Sequence, residues 1–190
     1  MIYSRLHGRL GNQMFQYAAA RGLAARHKTQ VALDTRIALH RGEGVLTRVF
    51  DLDVTDPKAL PPARHDAPVR YGIWRATGAA PAFKRERGLG YNTAIETWPD
   101  DVYLHGYWQS ERYFAHIADD MRRQFVFRVP PSRANEQMAA QITDTLSISL
   151  HVRRGDYLTF DAQTICDLAY YDAALQQVAA PLDSAPTVFV

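Results

Sequence analysis

Apolar and polar residues alternate along this chain in segments that predict strands and helices in turn. An apolar run over residues 1–6 predicts a first strand, and helical spacing of apolar positions over residues 14–26 predicts a helix after it. The same two patterns predict strands at 30–34, 146–152 and 187–190, and helices at 110–124, 132–143 and 170–178. Strands that alternate with helices are typical of an α/β protein with a parallel sheet.

The middle of the chain, residues 56–99, has no sustained periodicity. It is rich in Pro, Gly and Arg, and such composition indicates long loops with short elements. No internal repeat or low-complexity tract is evident elsewhere.

Composition narrows the class of protein. With 190 residues and 47% hydrophobic content, the chain can bury a core as one domain or two small ones. A net charge of +2 indicates no strong field for nucleic acid. The single cysteine, Cys166, excludes an intramolecular disulfide and fits a reducing compartment. There is no run of 18 apolar residues and no signal-peptide layout. We expect a cytoplasmic protein with at most peripheral membrane contact and no nucleic-acid partner.

Two arginines stand where the predicted strand at 146–152 ends, in the run HVRRGDY at residues 151–157. Ligands of open α/β sheets bind at the carboxyl ends of the strands. A guanidinium group offers several fixed donors and a permanent charge there, which suits a phosphate. The alternative is a surface turn with solvated arginines, or an Arg-Gly-Asp tripeptide that arose by chance.

A glycine-containing turn follows the first predicted strand, with Gly8 and Gly11 ahead of the first helix. Glycines at such a turn let backbone N–H groups approach a ligand at the helix N-terminus. A G-x-G-x-x-G fingerprint is absent, and two glycines in a turn are weak support by themselves. The apolar residues that follow predict a helix packed on a sheet.

Three segments of the chain resemble the α-1,2-fucosyltransferases, glycosyltransferase family 11. The opening signature of that family is similar to GRLGNQMFQYA at residues 8–18. The run at 151–157 resembles the donor motif that the family shares with α-1,6- and protein O-fucosyltransferases. Between them, YLHGYWQSERYF at residues 103–114 also matches, in the same order. Residues 41–100 carry little of the resemblance.

The resemblance implies the GT-B fold, with two facing Rossmann-like domains. Residues 1–145 would form the N-terminal acceptor-side α/β domain. Residues 146–190 would supply the opening β-α-β of the GDP-fucose-binding domain. Family proteins continue from this point with an acidic motif and the rest of that domain, so we expect the chain to be truncated at its C-terminus.

The resemblance also implies a reaction: inverting transfer of L-fucose from GDP-fucose to the 2-hydroxyl of a terminal galactose in a glycan. The run at 151–157, which we call the arginine motif, would stabilise the departing diphosphate by its positive charge, so no metal and no cofactor are expected. Arg153 is the expected direct contact, and Asn12 is expected to orient the reacting sugar. The implied catalytic residues are Arg153, Asn12 and Asp156; the implied donor-binding residues are His151, Arg153, Arg154, Asp156, Gly11, Asn12 and Gln13.

For several candidate residues, the sequence leaves two possible roles open. His151 is either a donor contact or a structural histidine, and Asn12 either contacts sugar or is needed for the turn itself. Aromatic faces suit pyranose rings, so the run Tyr107, Trp108 and Gln109 is a candidate acceptor site, with core packing as its alternative. No residue is a convincing general base, although Asp161 lies near the position of a carboxylate in α-1,6 relatives.

Two rival functions remain open. The first is a metal-dependent transferase of the GT-A type, because the triplet Asp51-Leu52-Asp53 resembles the metal-binding Asp-x-Asp of those enzymes, whose hard oxygen ligands suit a divalent cation. The second is an inactive fragment that retains the first domain, with at most weak sugar or partner binding.

Overall fold

The computed structural model describes residues 1–57, 59–88, 90–152 and 166–190. It divides into two compact units, residues 1–129 and residues 130–190. The boundary at residue 145 that the resemblance implies concerns acceptor and donor domains, and it stays a prediction.

A parallel sheet of four strands forms the centre of the first unit. Its strands are β1 (Ile2–Arg5), β2 (Val31–Asp34), β3 (Ala82–Arg85) and β4 (Val102–His105), in the order β2-β1-β4-β3. In register, Ile2 lies opposite Val31 on one side and Val102 on the other. All four strands therefore end at one edge, which we call the carboxyl edge. Strands β1 and β2 confirm the sequence prediction, whereas β3 and β4 were not predicted.

The described residues of this unit form the helices α1 (Leu10–His27), α2 (Arg36–His40), α3 (Pro68–Thr77) and α4 (Ala118–Gln124). Shorter 3₁₀ turns lie at Leu46–Arg48, Thr93–Thr97, Glu111–Tyr113 and Ala115–Ile117. Lys28 caps the C-terminus of helix α1. Its backbone is left-handed, and its N–H donates to the carbonyls of Ala24 and Ala25. Basic Arg26 and His27 in its last turn complement the helix dipole.

The main hydrophobic core lies between α1 and the sheet. Both partners are apolar at the contact, since Ile2 and Leu104 are fully buried on the strands and Tyr17 and Ala20 on the helix. Burial of that apolar surface is the principal force that fixes the helix on the sheet. Because α1 is anchored along its length, its first turn is held at the carboxyl edge.

The predicted helix at 110–124 is wrong over its first half, because α4 begins only at Ala118. Two 3₁₀ turns replace it. Their backbone packs so closely on α1 that a Cβ at Gly22 would lie 2.2 Å from the Tyr113 carbonyl oxygen. The His116 ring adds a 3.0 Å contact to the Gly22 carbonyl. This packing overrides the local helical spacing.

The segment at 56–99 is more ordered than its composition predicted. Pro68 occupies the first turn of α3, and Gly78 ends the helix at a φ of 65°, which is the usual distribution of these residue types. Tyr71 and Trp74, three positions apart on α3, are buried against Tyr103 of β4. The helix thus covers the side of the sheet next to β3.

The second unit contains α5 (Arg133–Asp144), β5 (Ser147–Ser149), α6 (Leu168–Ala179) and β6 (Thr187–Phe189). Strands β5 and β6 pair in parallel, so the predicted β-α-β connection is present. Ser132 and Asp167 cap the two helices by accepting from backbone N–H groups within the first turn. The mixed α/β architecture and the four-stranded parallel sheet fit a Rossmann-like fold.

No helix in the described ranges is both long and apolar enough to cross a membrane.

Candidate functional site

The turn that follows β1 is built around Gly8. Its backbone has a φ of 78°, which favours glycine. A Cβ there would lie 2.7 Å from Nδ2 of Asn12, so a larger residue would displace the Asn12 side chain. The Gly8 N–H donates to Glu43 Oε2 at 2.8 Å. Glycine therefore allows Asn12, in the first turn of α1, to lie directly over this turn.

Gln13, a predicted donor contact, is fully buried and bonded to the backbone. Its Nε2 donates to the carbonyls of Gly8 at 2.8 Å and Gly44 at 2.6 Å, and its Oε1 accepts from Leu46 N at 2.9 Å. The side chain fixes the Gly8 turn to the segment at 44–46. This geometry favours a positioning role over contact with a ligand.

Gln16 performs a similar task for His7, and sequence reasoning missed both residues. Gln16 accepts from the His7 N–H at 3.0 Å, and its Nε2 donates to the His7 carbonyl at 3.1 Å. The same Nε2 lies 3.2 Å from His7 Nδ1. For His7 the available signal was a polar residue directly after the apolar run at 1–6, because strand ends line the ligand crevice.

A direct hydrogen bond joins two of the three matched segments. Gln109, in the turn after β4, donates from Nε2 to Asn12 Oδ1 at 2.7 Å. Strands β1 and β4 are neighbours, and the chain moves to opposite sides of β1 when it forms β2 and β4. The contact thus lies where the strand order reverses, which is the usual ligand position in such sheets.

The aromatic residues of the β4 turn have different environments. Tyr107 is 41% exposed, and its ring lies 4.7 Å from the His7 ring. Trp108 is fully buried and packs edge-on against Trp98 and Tyr113. Of the two roles considered for residues 107–109, core packing is favoured for Trp108. Tyr107 and Gln109 remain available to contact a ligand.

Glu86, just beyond β3, holds the β4 turn. Its carboxylate accepts from Tyr107 N at 2.6 Å and from Trp108 N at 2.9 Å. Trp108 has a φ of 56°, which is uncommon for a residue with a side chain. A Cβ at Gly106 would lie 2.4 Å from Glu86 Cβ, so glycine permits the approach. Two charge-assisted hydrogen bonds therefore support a strained backbone at the carboxyl edge.

Two histidines at this edge are held in the neutral form. Burial lowers the pKa of His7. The Arg5 carbonyl and the charge of Glu43 oppose this shift, whereas the charges of Arg5 and Arg41 add to it. Burial, aided by Arg5, His7 and Arg85, lowers the pKa of His105 to about 3. Both rings are therefore unprotonated near pH 7, and an unprotonated ring nitrogen can accept a hydrogen bond.

A partly buried ion pair stabilises the same edge at β2. Arg36 donates from Nε to Asp34 Oδ1 at 2.9 Å and from Nη2 to Oδ2 at 2.8 Å. Tyr103 donates its hydroxyl to Asp34 Oδ2 at 2.6 Å. Burial raises the pKa of Asp34, but the hydrogen bonds from Arg36 and Tyr103 outweigh it, and the net pKa is lowered. Because Asp34 and Tyr103 lie on β2 and β4, the bond ties together the strands on either side of β1.

The arginine motif begins after the carboxyl end of β5. His151 is exposed, and its carbonyl accepts from the Tyr171 hydroxyl at 3.4 Å. The predicted residues Arg153, Arg154 and Asp156 lie outside the described residues, as does Asp161. Their roles stay predictions.

The acidic triplet makes ion pairs with arginines. Asp51 Oδ1 lies 2.7 Å from Arg128 Nη2, and Asp53 Oδ2 lies 3.7 Å from Arg21 Nη2. Within the described ranges, no group of three or more His, Cys, Asp or Glu side chains could hold a metal ion. Independence of metal stays a prediction.

The sequence profile of glycosyl transferase family 11 matches residues 91–190, more than half of the chain. The chain belongs to glycosyl transferase family 11. This confirms the family that the three segments indicated. An alpha-1,2-colitosyltransferase from Escherichia coli is 28% identical over 187 residues, which cover 90% of the chain. The chain spans 61% of the length of that relative. No solved structure matches.

Proposed function

We propose that the protein containing this chain transfers L-fucose from GDP-fucose to the 2-hydroxyl of a terminal galactose, with inversion at the anomeric carbon. Membership of glycosyl transferase family 11 supports the reaction class. The observation that carries the proposal is the 2.7 Å hydrogen bond between Gln109 and Asn12. It brings two family segments, far apart in sequence, together at the carboxyl edge.

Asn12 orients a sugar in this proposal. Because Gln109 donates to Oδ1 of Asn12, the Asn12 amide presents its Nδ2 hydrogens as donors to a sugar oxygen. An amide is a poor base, so it positions the sugar without moving a proton. Gly8 and Gln13 hold the turn below it, which keeps the amide oriented before a ligand arrives.

His7 is the proton acceptor we propose. The galactose 2-hydroxyl forms the new bond to the anomeric carbon, GDP leaves with the electron pair of the broken bond, and the hydroxyl proton must be taken up. His7 lies at the carboxyl edge against exposed Tyr107. Its lowered pKa keeps the imidazole unprotonated at neutral pH.

Arg153 and Arg154 stabilise the departing diphosphate in this proposal. Two guanidinium groups supply charge where negative charge develops in the transition state, which is the largest catalytic effect in many enzymes. The same charge would replace a metal ion, so we propose transfer without metal or another cofactor. Asp156 and His151 would hold the nucleotide sugar or the arginines.

Colitose is a second candidate for the transferred sugar, since the relative that matches most of the chain is an alpha-1,2-colitosyltransferase. Colitose is fucose without its 3-hydroxyl. A site that hydrogen-bonds this hydroxyl rejects the deoxy sugar by a large factor, whereas an apolar site discriminates weakly. The donor preference therefore reports whether a polar group faces the 3-position.

A transfer assay on the protein in the full length that its gene encodes tests the proposal. GDP-fucose and GDP-colitose are offered in parallel with lactose, and the product linkage is determined by NMR. An α-1,2-linked fucosyl product supports the main proposal, and an α-1,2-linked colitosyl product from GDP-colitose alone favours the second candidate. Binding of sugar without any product, in a protein shown to be folded, would favour the non-catalytic alternative.

A further inference from the structure

A basic cleft of about 960 Å³ opens beside β3, entirely within the first unit. Its volume lies within the range of about 300–1,000 Å³ that is typical of small-molecule sites. We call it the β3 cleft. Its basic lining residues are Arg75, Lys84, Arg85 and Arg87, and its aromatic lining residues are Phe83, Tyr91 and Trp98.

Carboxylates offset only part of the positive charge of the β3 cleft. Among the described residues, none of its four basic side chains forms an ion pair. In the part of the chain that the structure describes, Glu86 is the one acidic residue of the lining, against four basic ones, and both of its oxygens accept backbone N–H groups of the β4 turn. The cleft therefore presents a surplus of positive charge to solvent.

Two of the cations are held on aromatic rings. The Arg75 guanidinium lies 4.5 Å from the centre of the Phe83 ring, and Lys84 Nζ lies 5.4 Å from that of Trp98. Cation–π contacts of this kind orient a charge without neutralising it. Arg85 and Arg87 are exposed at the same cleft. Fixed cations beside apolar ring faces suit a ligand with a sugar ring and a negative group.

The β3 cleft adjoins the carboxyl edge through Glu86. This residue lines the cleft and also fixes the turn that carries Tyr107 and Gln109. The positive charges of Arg85 and Arg75 both lower the pKa of His105, the last residue of β4. A glycan that binds at Gln109 and extends along the β4 turn would reach this cleft at Glu86.

We propose that the β3 cleft binds the acceptor and selects a glycan that carries a phosphate or carboxylate group near its galactose end. The galactose in this proposal rests on the transfer reaction proposed above. The preference of the cleft for a charged glycan can be measured by binding alone. Arg85 and Arg87 are the side chains we assign to the anionic group, since their guanidinium groups can each donate two hydrogen bonds to it.

The test compares three probes with the same galactose end: lactose, lactose 1-phosphate and lactobionate. Calorimetric titration at low salt should show the phosphate probe binding at least about tenfold more tightly than lactose, a difference of about 1.4 kcal/mol. A preference for lactobionate as well would identify negative charge as the feature recognised, and a preference for the phosphate alone would identify phosphate. Raising NaCl should reduce the preference, because the cleft is open to screening.

Two double variants locate the effect. Arg85→Gln with Arg87→Gln should abolish the preference for the charged probes. Arg48→Gln with Arg133→Gln removes the same charge from exposed positions outside the cleft and should preserve it. Equal affinity of the unaltered protein for all three probes would overturn the proposal, as would a preference that survives the Arg85 and Arg87 changes.

The calorimetric titrations can fail or succeed independently of the transfer assay, so the two proposals are tested separately. Loss of transfer with every donor, together with a retained charge preference at Arg85 and Arg87, would overturn the proposed function and leave the anion site in place. Transfer to lactose with no charge preference would overturn the anion site and leave the function in place.

Discussion

Glu86 is the residue whose removal perturbs the carboxyl edge most directly. Its carboxylate accepts hydrogen bonds of 2.6 Å from Tyr107 N and 2.9 Å from Trp108 N. Trp108 meanwhile has a φ of 56°, a conformation that costs a non-glycine residue about 1–3 kcal/mol. We expect Glu86→Ala to leave this strained turn without a charged acceptor.

The expected loss of stability depends on how well water can replace Glu86 at the two backbone amides. A hydrogen bond to a charged group contributes about 1.5–3 kcal/mol to stability. Tyr107 is exposed, so its N–H regains water, whereas the bond at Trp108 is partly buried and its loss is poorly compensated. We expect Glu86→Ala to lower the free energy of unfolding by about 2–4 kcal/mol. Glu86→Gln should lower it by about 1–2 kcal/mol, since one amide oxygen replaces two carboxylate oxygens.

Urea unfolding followed by tryptophan fluorescence measures this loss. All three tryptophans of the chain, Trp74, Trp98 and Trp108, lie in the first unit, so the signal reports the unit that holds Glu86. The matched control is Glu111→Ala, which removes an exposed carboxylate. A change below about 0.5 kcal/mol for Glu86→Ala, or an equal change in the control, would refute the reasoning.

Three further predictions concern the donor, the metal and pH. Arg153→Lys keeps the charge but loses the planar fork, so the affinity for GDP-fucose should fall about tenfold in a calorimetric titration, with little change for Arg112→Lys. Transfer should survive EDTA; loss of activity that Mn²⁺ restores would make Asp51 and Asp53 metal ligands. Because the pKa of His105 is lowered to about 3 from 6.5, the unfolded state binds more protons between these values. The free energy of unfolding should therefore fall from about pH 6.5 toward about pH 3, by up to about 1.4 kcal/mol per pH unit. Urea unfolding at a series of pH values should show a smaller slope for His105→Leu; an unchanged slope would contradict the assignment.

The alternating elements at both ends of the chain were predictable because their local patterns agree with their tertiary environment. Strand β1 and helix α1 are an apolar run and an alanine-rich helix that pack on each other. The β5-α6-β6 connection shows the same agreement between strand and helix patterns. Where local preference and packing coincide, sequence alone suffices.

Packing decided the elements that sequence reasoning missed. The predicted helix start at Ser110 is a real cap, since its hydroxyl accepts from Arg112 N, but Tyr113 is drawn onto α1 at Gly22 and breaks the helix. In the middle segment, Pro68 and Gly78 were the available signals for α3. Their helix is short, and its burial depends on Tyr103, a partner distant in sequence.

Similar reasoning applies to the candidate site. Asn12 and Gln109 were named from separate segments, and the structure adds that they touch. Glu86 and His7 were not found, because each acts through a turn that forms only when β1, β3 and β4 lie side by side. Buried Trp108 is a different case, because core packing was one of the two interpretations of the run at 107–109 and only the structure decides between them.

A double-mutant cycle on Asn12 and Gln109 tests the central claim, that the transfer reaction takes place at the carboxyl edge between β1 and β4. The kcat of sugar transfer is measured for Asn12→Ala, Gln109→Ala and the double variant, with tryptophan fluorescence confirming that each is folded. We expect each single change to lower kcat at least about tenfold and the double change to lower it by less than the product of the two, because the residues act as one unit. Wild-type transfer by folded Asn12→Ala would contradict the account.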